Sequence, residues 1–508
     1  MKASPSSSSS TPHKMLTGKR PFILALLLGA IYPLGFSPID FWPITLMSLM
    51  GFFWILKNIR EKYWLIGLCF GVGQFGVGTS WVYISIHEFG NAPVILALII
   101  TLLFVLYLAL YPALFSWAFG KWFKNSQGWS AIIAISFLWL VVDGLRGWIF
   151  SGFPWLYPGY AFIDSTLANW APIMGIHSIT VLAIFSSLLL LKLIQDIRSI
   201  KTAMVLVFIW LGSFFLGMMN WSTAVGDPVT ATLVQPSIPQ KLKWKKDYFW
   251  KTIEILKQKT SQAKGDVIIW PEGAVPAFED QVRHILQPIA SAAAAKGQTI
   301  ISGIPLRNSE QSEYYNGVIV VTDSVSKKSQ SYLKRRLVPF GEYVPLQNIL
   351  RGLIEFFDLP MSAFSLGPDN QVPLNVKGVN FGMAICYEIT YPQLVYSQAR
   401  NSTVLLTISN DAWFGNSWGP EQHLQMARMR ALETSLPVLR GTNDGITAFI
   451  DEKGHVISRL EKNQNGNLEG KFQPQNSTSW VVHFHAWWSL IVVLALSLFF
   501  LFKSHNQD

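Results

Sequence analysis

Hydrophobic and polar positions divide the chain into two unlike parts. Between Pro21 and Met219 long apolar runs follow one another, at about Pro21–Phe36, Trp42–Leu56, Trp64–Ile84, Pro93–Phe119, Ala131–Val142, Ile173–Ile194 and Ala203–Met219. Each is near the roughly 20 residues that a helix needs to cross a bilayer, so about seven membrane helices are expected. The first run is read as an uncleaved membrane helix, since further long apolar segments come after it without a convincing small-residue cleavage site. From Thr230 to about Gln475 the pattern changes to short β-rich runs: Val229–Val234, Asp266–Trp270, Thr299–Gly303, Gly317–Val321, Gln330–Leu333, Val379–Ile385 and Val404–Ser409. Helical stretches such as Tyr248–Lys264 and Gln281–Lys296 alternate with them, which predicts an α/β domain with a mixed sheet. A last apolar run near Trp487–Phe502 predicts one closing membrane helix. The expected organisation is a disordered Ser/Pro-rich tail over 1–20, a multi-pass α-helical membrane domain over 21–220, an α/β domain over 221–480, and a membrane helix over 484–503.

Charge gives this frame an orientation. Lys14, Lys19 and Arg20 precede the first helix, Lys57, Arg60 and Lys62 follow the second, Lys121 and Lys124 the fourth, and Lys192, Arg198 and Lys201 the sixth. The intervening loops Ser37–Phe41 and Ile86–Ala92 carry no Lys or Arg. The tail is therefore expected in the cytoplasm, and an odd number of helices places the α/β domain outside it. The net charge of +10 sits on a chain that is 50% hydrophobic and only 14% charged. Its basic residues cluster beside apolar runs, where anionic lipid headgroups are a better partner than nucleic acid. The two cysteines, Cys69 in an apolar run and Cys386 in polar surroundings, exclude a disulfide framework and a metal-type cysteine pair. The stretch Gly144–Pro158 is rich in aromatics and turn formers; it is either an interfacial aromatic belt or a membrane-level wall that shapes lipid access.

Reactive groups collect at strand ends. The run Val379–Ile385 ends in Cys386, and the residues after it lose the strand signal, so Cys386 is expected at a strand-to-helix elbow. Backbone N–H groups at a helix start would lower a thiol pKa and stabilise an oxyanion. Alone, Cys386 would read as a small buried hydrophobe. It is not alone: Trp270-Pro271 ends a buried strand and offers Glu272, Ser331-Tyr332-Leu333 offers Lys334, and Glu342 follows a turn. Acyl transfer through a thioester needs such a set, with Glu272 as base, Lys334 as electrostatic support and Cys386 as nucleophile. No metal or organic cofactor is required.

Trp-Pro-Glu at 270–272, Tyr-Leu-Lys at 332–334 and Ala-Ile-Cys-Tyr-Glu at 384–388 resemble the signatures of the carbon–nitrogen hydrolase, or nitrilase, superfamily. Leu337–Pro345, Ser409–Gly415, Gln422–Leu424, Met429–Glu433 and Arg440–Gly445 narrow the resemblance to the apolipoprotein N-acyltransferase family, as does Gly152-Phe153-Pro154-Trp155. The resemblance implies an αββα nitrilase-like domain on the periplasmic side of a bacterial inner membrane, with the triad on Glu272, Lys334 and Cys386. It implies transfer of a fatty acyl chain from a phospholipid, typically phosphatidylethanolamine, to the α-amino group of a diacylated lipoprotein, by a ping-pong route. It also implies supporting roles for Glu342, Tyr387 and Glu388, and substrate contacts from Trp244, Trp413, Phe414 and Gly415. Trp155 joins the substrate-binding candidates, and the chain is expected to act as a monomer. Gln235-Pro236-Ser237 departs from the family pattern, which has Gly near 236. Two other readings are weighed: a membrane-tethered amidase that hydrolyses a small C–N bond, and a transporter or receptor without chemistry. The apolar helices carry few of the ionisable residues that mark a transport path, which weighs against the latter.

Overall fold

The computed structural model describes residues 16–323, 329–339, 341–343 and 364–484. The tail over 1–20 therefore lies mostly outside the described residues, as does the helix expected over 484–503. The first part folds into apolar helices: α1 Arg20–Ile31, α2 Trp42–Asn58, α3 Tyr63–Gly78, α4 Val82–Ile84, α5 Val94–Trp122, α6 Gly128–Arg146, α7 Ala171–Gln195 and α8 Ile200–Leu216. Prolines at the first turn of α1, α2 and α7 stand where a helix has no use for the missing N–H.

Among the described residues, 3 helices are long and apolar enough to cross a membrane: Val94–Trp122, Gly128–Arg146 and Thr166–Gln195. Tyr63–Gly78 and Val82–Phe89 join as a pair bent by 61°, which raises the number to 4 if that pair is one span. Helices α1 and α3 approach closely because glycine meets backbone: a Cβ on Gly29 would lie 2.0 Å from the Phe70 carbonyl oxygen. Such small-residue contacts are how helices pack where no water drives them together. Asp143 and Arg146, both on α6, form a buried ion pair with a 2.8 Å contact, and Trp139 Nε1 donates to the same carboxylate at 3.0 Å.

The second part is a sandwich of two sheets between helices. One sheet has the order β13-β2-β3-β4-β5-β6, built from β2 Val229–Gln235, β3 Val267–Trp270, β4 Thr299–Arg307, β5 Tyr314–Val321, β6 Ser331–Leu333 and β13 Gly466–Phe472. The other has the order β12-β11-β10-β9-β8-β7, from β7 Leu374–Val376, β8 Val379–Ile385, β9 Val404–Ser409, β10 Val438–Thr442, β11 Thr447–Ile450 and β12 Val456–Leu460. A short ribbon pairs β1 Ser222–Ala224 with β14 Gln475–Ser477. Strands β2, β3 and β4 run parallel, as do β8, β9 and β10. Strands β3 and β9 are buried along their whole length, which explains their unbroken apolar sequences.

Side chains from both sheets share one core, in which Leu233, Ile269 and Ile301 pack with Met383, Leu406 and Leu439. Helices α10 Lys246–Gln262 and α11 Glu279–Ala294 cover the outer face of the first sheet. Helices α12 Pro392–Ala399 and α13 Gly419–Thr434 cover the second, with α14 Trp480–Phe484 against them. The layers are therefore helix, sheet, sheet, helix. The expected strands at Val379–Ile385 and Val404–Ser409 have those bounds; β4 and β5 run longer than their apolar runs because their ends pair with each other.

The two parts touch through α13, which lies against α7. Glu433 accepts a 2.6 Å hydrogen bond from the Ile176 amide and pairs with Arg430 at 3.0 Å, all three buried. Gly175 breaks α7 at φ +68°, and a Cβ there would lie 2.1 Å from the Tyr396 hydroxyl.

Candidate active site

The ends of β3, β6 and β8 bring Glu272, Lys334 and Cys386 to one edge of the sandwich, where open α/β folds place their chemistry. Glu272 follows Pro271, which ends β3, and both its oxygens are held. Oε1 accepts hydrogen bonds from Asn316 Nδ2 at 2.7 Å and Lys334 Nζ at 3.2 Å, and Oε2 accepts one from the Asn410 amide at 3.0 Å. Lys334 is 1% exposed and bridges to Glu342 Oε1 at 2.8 Å. Asn316 donates to Glu342 as well, at 2.7 Å, and the second Glu342 oxygen accepts from the Val338 amide at 2.9 Å. Burial alone would lower the Lys334 pKa, but Glu272 and Glu342 outweigh it and lift the group well above its usual value, so Lys334 is an ammonium.

Cys386 stands at the end of β8 with φ +51°, left-handed backbone that a non-glycine side chain rarely adopts. The elbow is real, but the helix expected directly after it is corrected: Cys386–Thr390 is a single 3-10 turn, and α12 starts only at Pro392. Proline fixes the first turn of α12 and so moves the helix start away from the sulfur. The expected low thiol pKa is corrected too. Burial, then the Glu272 charge, push the thiol well above its usual value, and Lys334 offsets this only in part. Among the described residues the sulfur of Cys386, a partly buried residue, makes no hydrogen bond, so Glu272 and Lys334 act on it through space.

Glu388 is fully buried beneath the elbow and ties it to the Lys334 loop. Its oxygens accept from the Ile385 amide at 2.7 Å, the Arg335 amide at 2.6 Å and the Tyr332 hydroxyl at 3.1 Å. Tyr387 donates to the Gly152 carbonyl at 2.9 Å and Tyr391 to the Ser151 carbonyl at 2.7 Å, which fixes the turn onto the segment between α6 and α7. Beside position 236, where glycine was expected, the positive φ falls on Ser237, whose amide donates to the Asn443 carbonyl at 2.8 Å.

The remaining candidates lie around this centre. Trp244 lines a cavity of about 610 Å³ together with Lys243, Phe249, Phe278, Tyr314 and Phe364. Trp413, Phe414 and Gly415 form a half-buried loop seated on the bent end of the α3–α4 pair. Ser85 Oγ donates to the Trp413 carbonyl at 2.8 Å, the Phe414 ring meets Trp81 edge-on at 4.7 Å, and Gly415 faces Ile84. Trp155 is 1% exposed, behind that loop: its indole N–H donates to Gln422 Oε1 at 2.7 Å, and its ring stacks on Phe153 at 5.6 Å.

Sequence reasoning gave no role to several groups that the fold delivers here. Asn316 joins the two carboxylates, and Lys243 Nζ reaches the Glu272 carbonyl at 3.0 Å. His423 Nε2 lies 3.1 Å from the Cys386 carbonyl oxygen, and its Nδ1 lies 3.1 Å from Asp411 Oδ1. Asp411 pairs in turn with Arg440. Burial would raise Asp411, but Arg440 and His423 overcome it and hold the carboxyl far below the usual range. The one signal was the density of His, Arg and Glu in Gln422–Glu433, a helix that turns out to be buried on nearly every side.

A model described as apolipoprotein N-acyltransferase N-terminal domain matches residues 28–189, and one described as carbon–nitrogen hydrolase matches residues 230–481. An apolipoprotein N-acyltransferase of Azotobacter vinelandii is 40% identical over 477 residues, which cover 92% of this chain and 92% of that one. The Vibrio cholerae protein of the same name is 40% identical over 466 residues, covering 90% of this chain and 92% of its own. That of Pseudomonas syringae pv. tomato is 38% identical over 485 residues, with 93% and 95% covered. With the hydrolase-type sandwich joined to the helices that precede it, the chain belongs to the apolipoprotein N-acyltransferase family.

Proposed function

We propose that this protein moves a fatty acyl chain from a membrane phospholipid to the α-amino group of a diacylglyceryl-cysteine at the N-terminus of an apolipoprotein, through a thioester on Cys386. The observation that carries this reading is the buried Glu272–Lys334–Glu342 cluster beside a cysteine held at positive φ. Because burial keeps the thiol protonated, its proton leaves as the carbon–sulfur bond forms and not before. Glu272 takes that proton while Sγ attacks the ester carbonyl, and the charge gathers on the carbonyl oxygen. The Lys334 ammonium and the Tyr387 backbone N–H stabilise it. The carbon–oxygen bond then breaks, Glu272 returns the proton to the leaving glycerol oxygen, and the lysophospholipid departs. In the second half the α-amine attacks the thioester, Glu272 accepts the nitrogen proton and passes it to the departing sulfur, and the amide is complete.

Glu342 and Asn316 hold the lysine and the base in register, and Glu388 and Tyr387 hold the elbow. Trp244, Trp413, Phe414 and Gly415 contact the lipid substrates, and Trp155 backs the loop. Hydrolysis competes with transfer, so water must be kept from the thioester; the bonds from Tyr387 and Tyr391 to residues 151–152 close that side. Two-chain lipids do not leave a bilayer readily, which calls for a site held at the membrane surface. The positive-inside charge pattern, with the family resemblance, supports the periplasmic face of the inner membrane as its location. One chain supplies every group in the scheme and works as a monomer.

The match of residues 28–189 to the family's own N-terminal domain supports transfer over hydrolysis of a small C–N bond. The test is incubation of purified protein with phosphatidylethanolamine and a diacylated lipopeptide. Formation of lysophospholipid and N-acylated peptide in equal amounts over many turnovers, with lysophospholipid falling to about one per enzyme when the peptide amine is blocked, supports the reading. Release of free fatty acid alone overturns it.

A further inference from the structure

Lys243 is a buried basic group that the acyl-transfer steps do not use. It ends the short helix α9 Gln240–Lys243, is 2% exposed, and donates from Nζ to the Glu272 carbonyl at 3.0 Å. Gly273 permits the approach: its φ is +53°, and a Cβ there would lie 3.3 Å from Nζ. The charges of Glu272 and Cys386 act on the ammonium, Lys334 and Glu342 lie next to Glu272, and Lys245 and Lys246 line the neighbouring cavity with it.

Charge balance gives it a task. Glu272 and Glu342 are two carboxylates against the single ammonium of Lys334, so the cluster by itself is negative. Moving the Cys386 proton to Glu272 relocates that excess onto sulfur without removing it, in a largely buried site where screening is weaker than in bulk water. We propose that Lys243 is a second active-site cation, a positioning residue whose ammonium balances the second carboxylate and lowers the cost of gathering negative charge on the Cys386 sulfur. Burial lowers the lysine to about 8, against the pull of Glu272 and Cys386, so the charge is present below about pH 8 and lost above it.

The inference rests on Cys386 as the nucleophile, and alkylation of that thiol tests it without any acyl transfer, so the two readings fail separately. Alkylation of Cys386 by iodoacetamide is followed by peptide mass across the pH range, for wild type, K243M and K243R. K243M is expected to react about tenfold more slowly at neutral pH, the loss of about one pKa unit in thiolate supply, while K243R keeps the wild-type rate. In the wild type the logarithm of the rate climbs with less than unit slope above about pH 8, because the ammonium discharges there. K243R, which stays charged, keeps unit slope. Should K243M fail to fold, the wild-type and K243R profiles still decide. Superimposable wild-type and K243R profiles with no bend, or a folded K243M that reacts at the wild-type rate, would overturn the proposal.

Discussion

His423 holds the backbone carbonyl of Cys386, with Nε2 3.1 Å from the oxygen. The bond crosses from α13 to the elbow and restrains a residue whose φ of +51° has no glycine to excuse it. Behind the imidazole stand Asp411 and Arg440, so the orientation of Cys386, the proposed nucleophile, is set from a strand, β10, that carries none of the proposed triad. His423→Ala should slow acyl-enzyme formation by about tenfold to a hundredfold, the cost of a nucleophile displaced by about an ångström, with substrate affinity little changed. His423→Gln, which keeps a donor, should recover part of the loss. Single-turnover kinetics separate the two effects, and equal losses in both variants would show that the bond does not orient the sulfur.

The charges on the thiol predict opposite effects from its two neighbours. Glu272 raises the Cys386 pKa and Lys334 lowers it. Glu272→Gln should therefore speed alkylation of Cys386 at neutral pH, while transfer falls by about 10²–10⁴ through loss of the base. Lys334→Met should slow both. The wild-type thiol should react more slowly at pH 7 than free cysteine, with a rate still climbing above about pH 9, since a raised pKa leaves the neutral form dominant below it. A rate that levels off near neutrality would mean a pre-formed thiolate.

Asp411 and Arg440 are both fully buried and paired. Asp411→Asn strands the guanidinium and should cost about 3–5 kcal/mol of stability, read as a lower melting temperature in detergent. The sign with pH comes from the depressed carboxyl. Its contribution is complete above the unfolded value of about 3.9 and is lost as pH falls through the lower folded value. The melting temperature of Asp411→Asn should thus fall less steeply on acidification than that of the wild type.

Docking of the sandwich on α7 depends on Glu433, which serves the Ile176 amide and Arg430 together. Glu433→Ala leaves the Ile176 amide without its acceptor and the Arg430 charge without its carboxylate, with only the Tyr160 hydroxyl still bonded to it, and should destabilise by about 3–5 kcal/mol. Gly175→Ala should act at the same joint, because its Cβ would strike Tyr396 and its φ is +68°. Limited proteolysis of membranes would show faster release of a fragment from the sandwich in both variants, without loss of alkylation at Cys386.

Strands β8 and β9 could be read from their apolar runs because each is buried on both faces, and pattern and environment then agree. Glu272 could be read for a related reason: it follows a fully buried strand with only Pro271 between, and has few other places to go. The 3-10 turn after Cys386 was not legible, since Tyr387-Glu388-Ile389-Thr390 continues into Tyr391-Pro392 with no local mark of where the helix begins. The burial of helix α13 was not legible either. Its mean composition is polar, yet Gln422, His423, Arg430 and Glu433 are buried, each meeting partners from the membrane part or the opposite strand ends. Such partners are distant in sequence, and Asn316 and Lys243 were missed for the same reason. The thiol pKa was misjudged because burial, which outweighs Lys334 at this site, leaves no trace in a local motif.

Intact mass of the protein after extraction from membranes tests the central claim most directly. The account predicts an added mass equal to one fatty acyl chain, located on Cys386, removed by hydroxylamine and missing from Cys386→Ala. A phospholipid-incubated wild type with no such adduct, or an adduct that survives in Cys386→Ala, would contradict it.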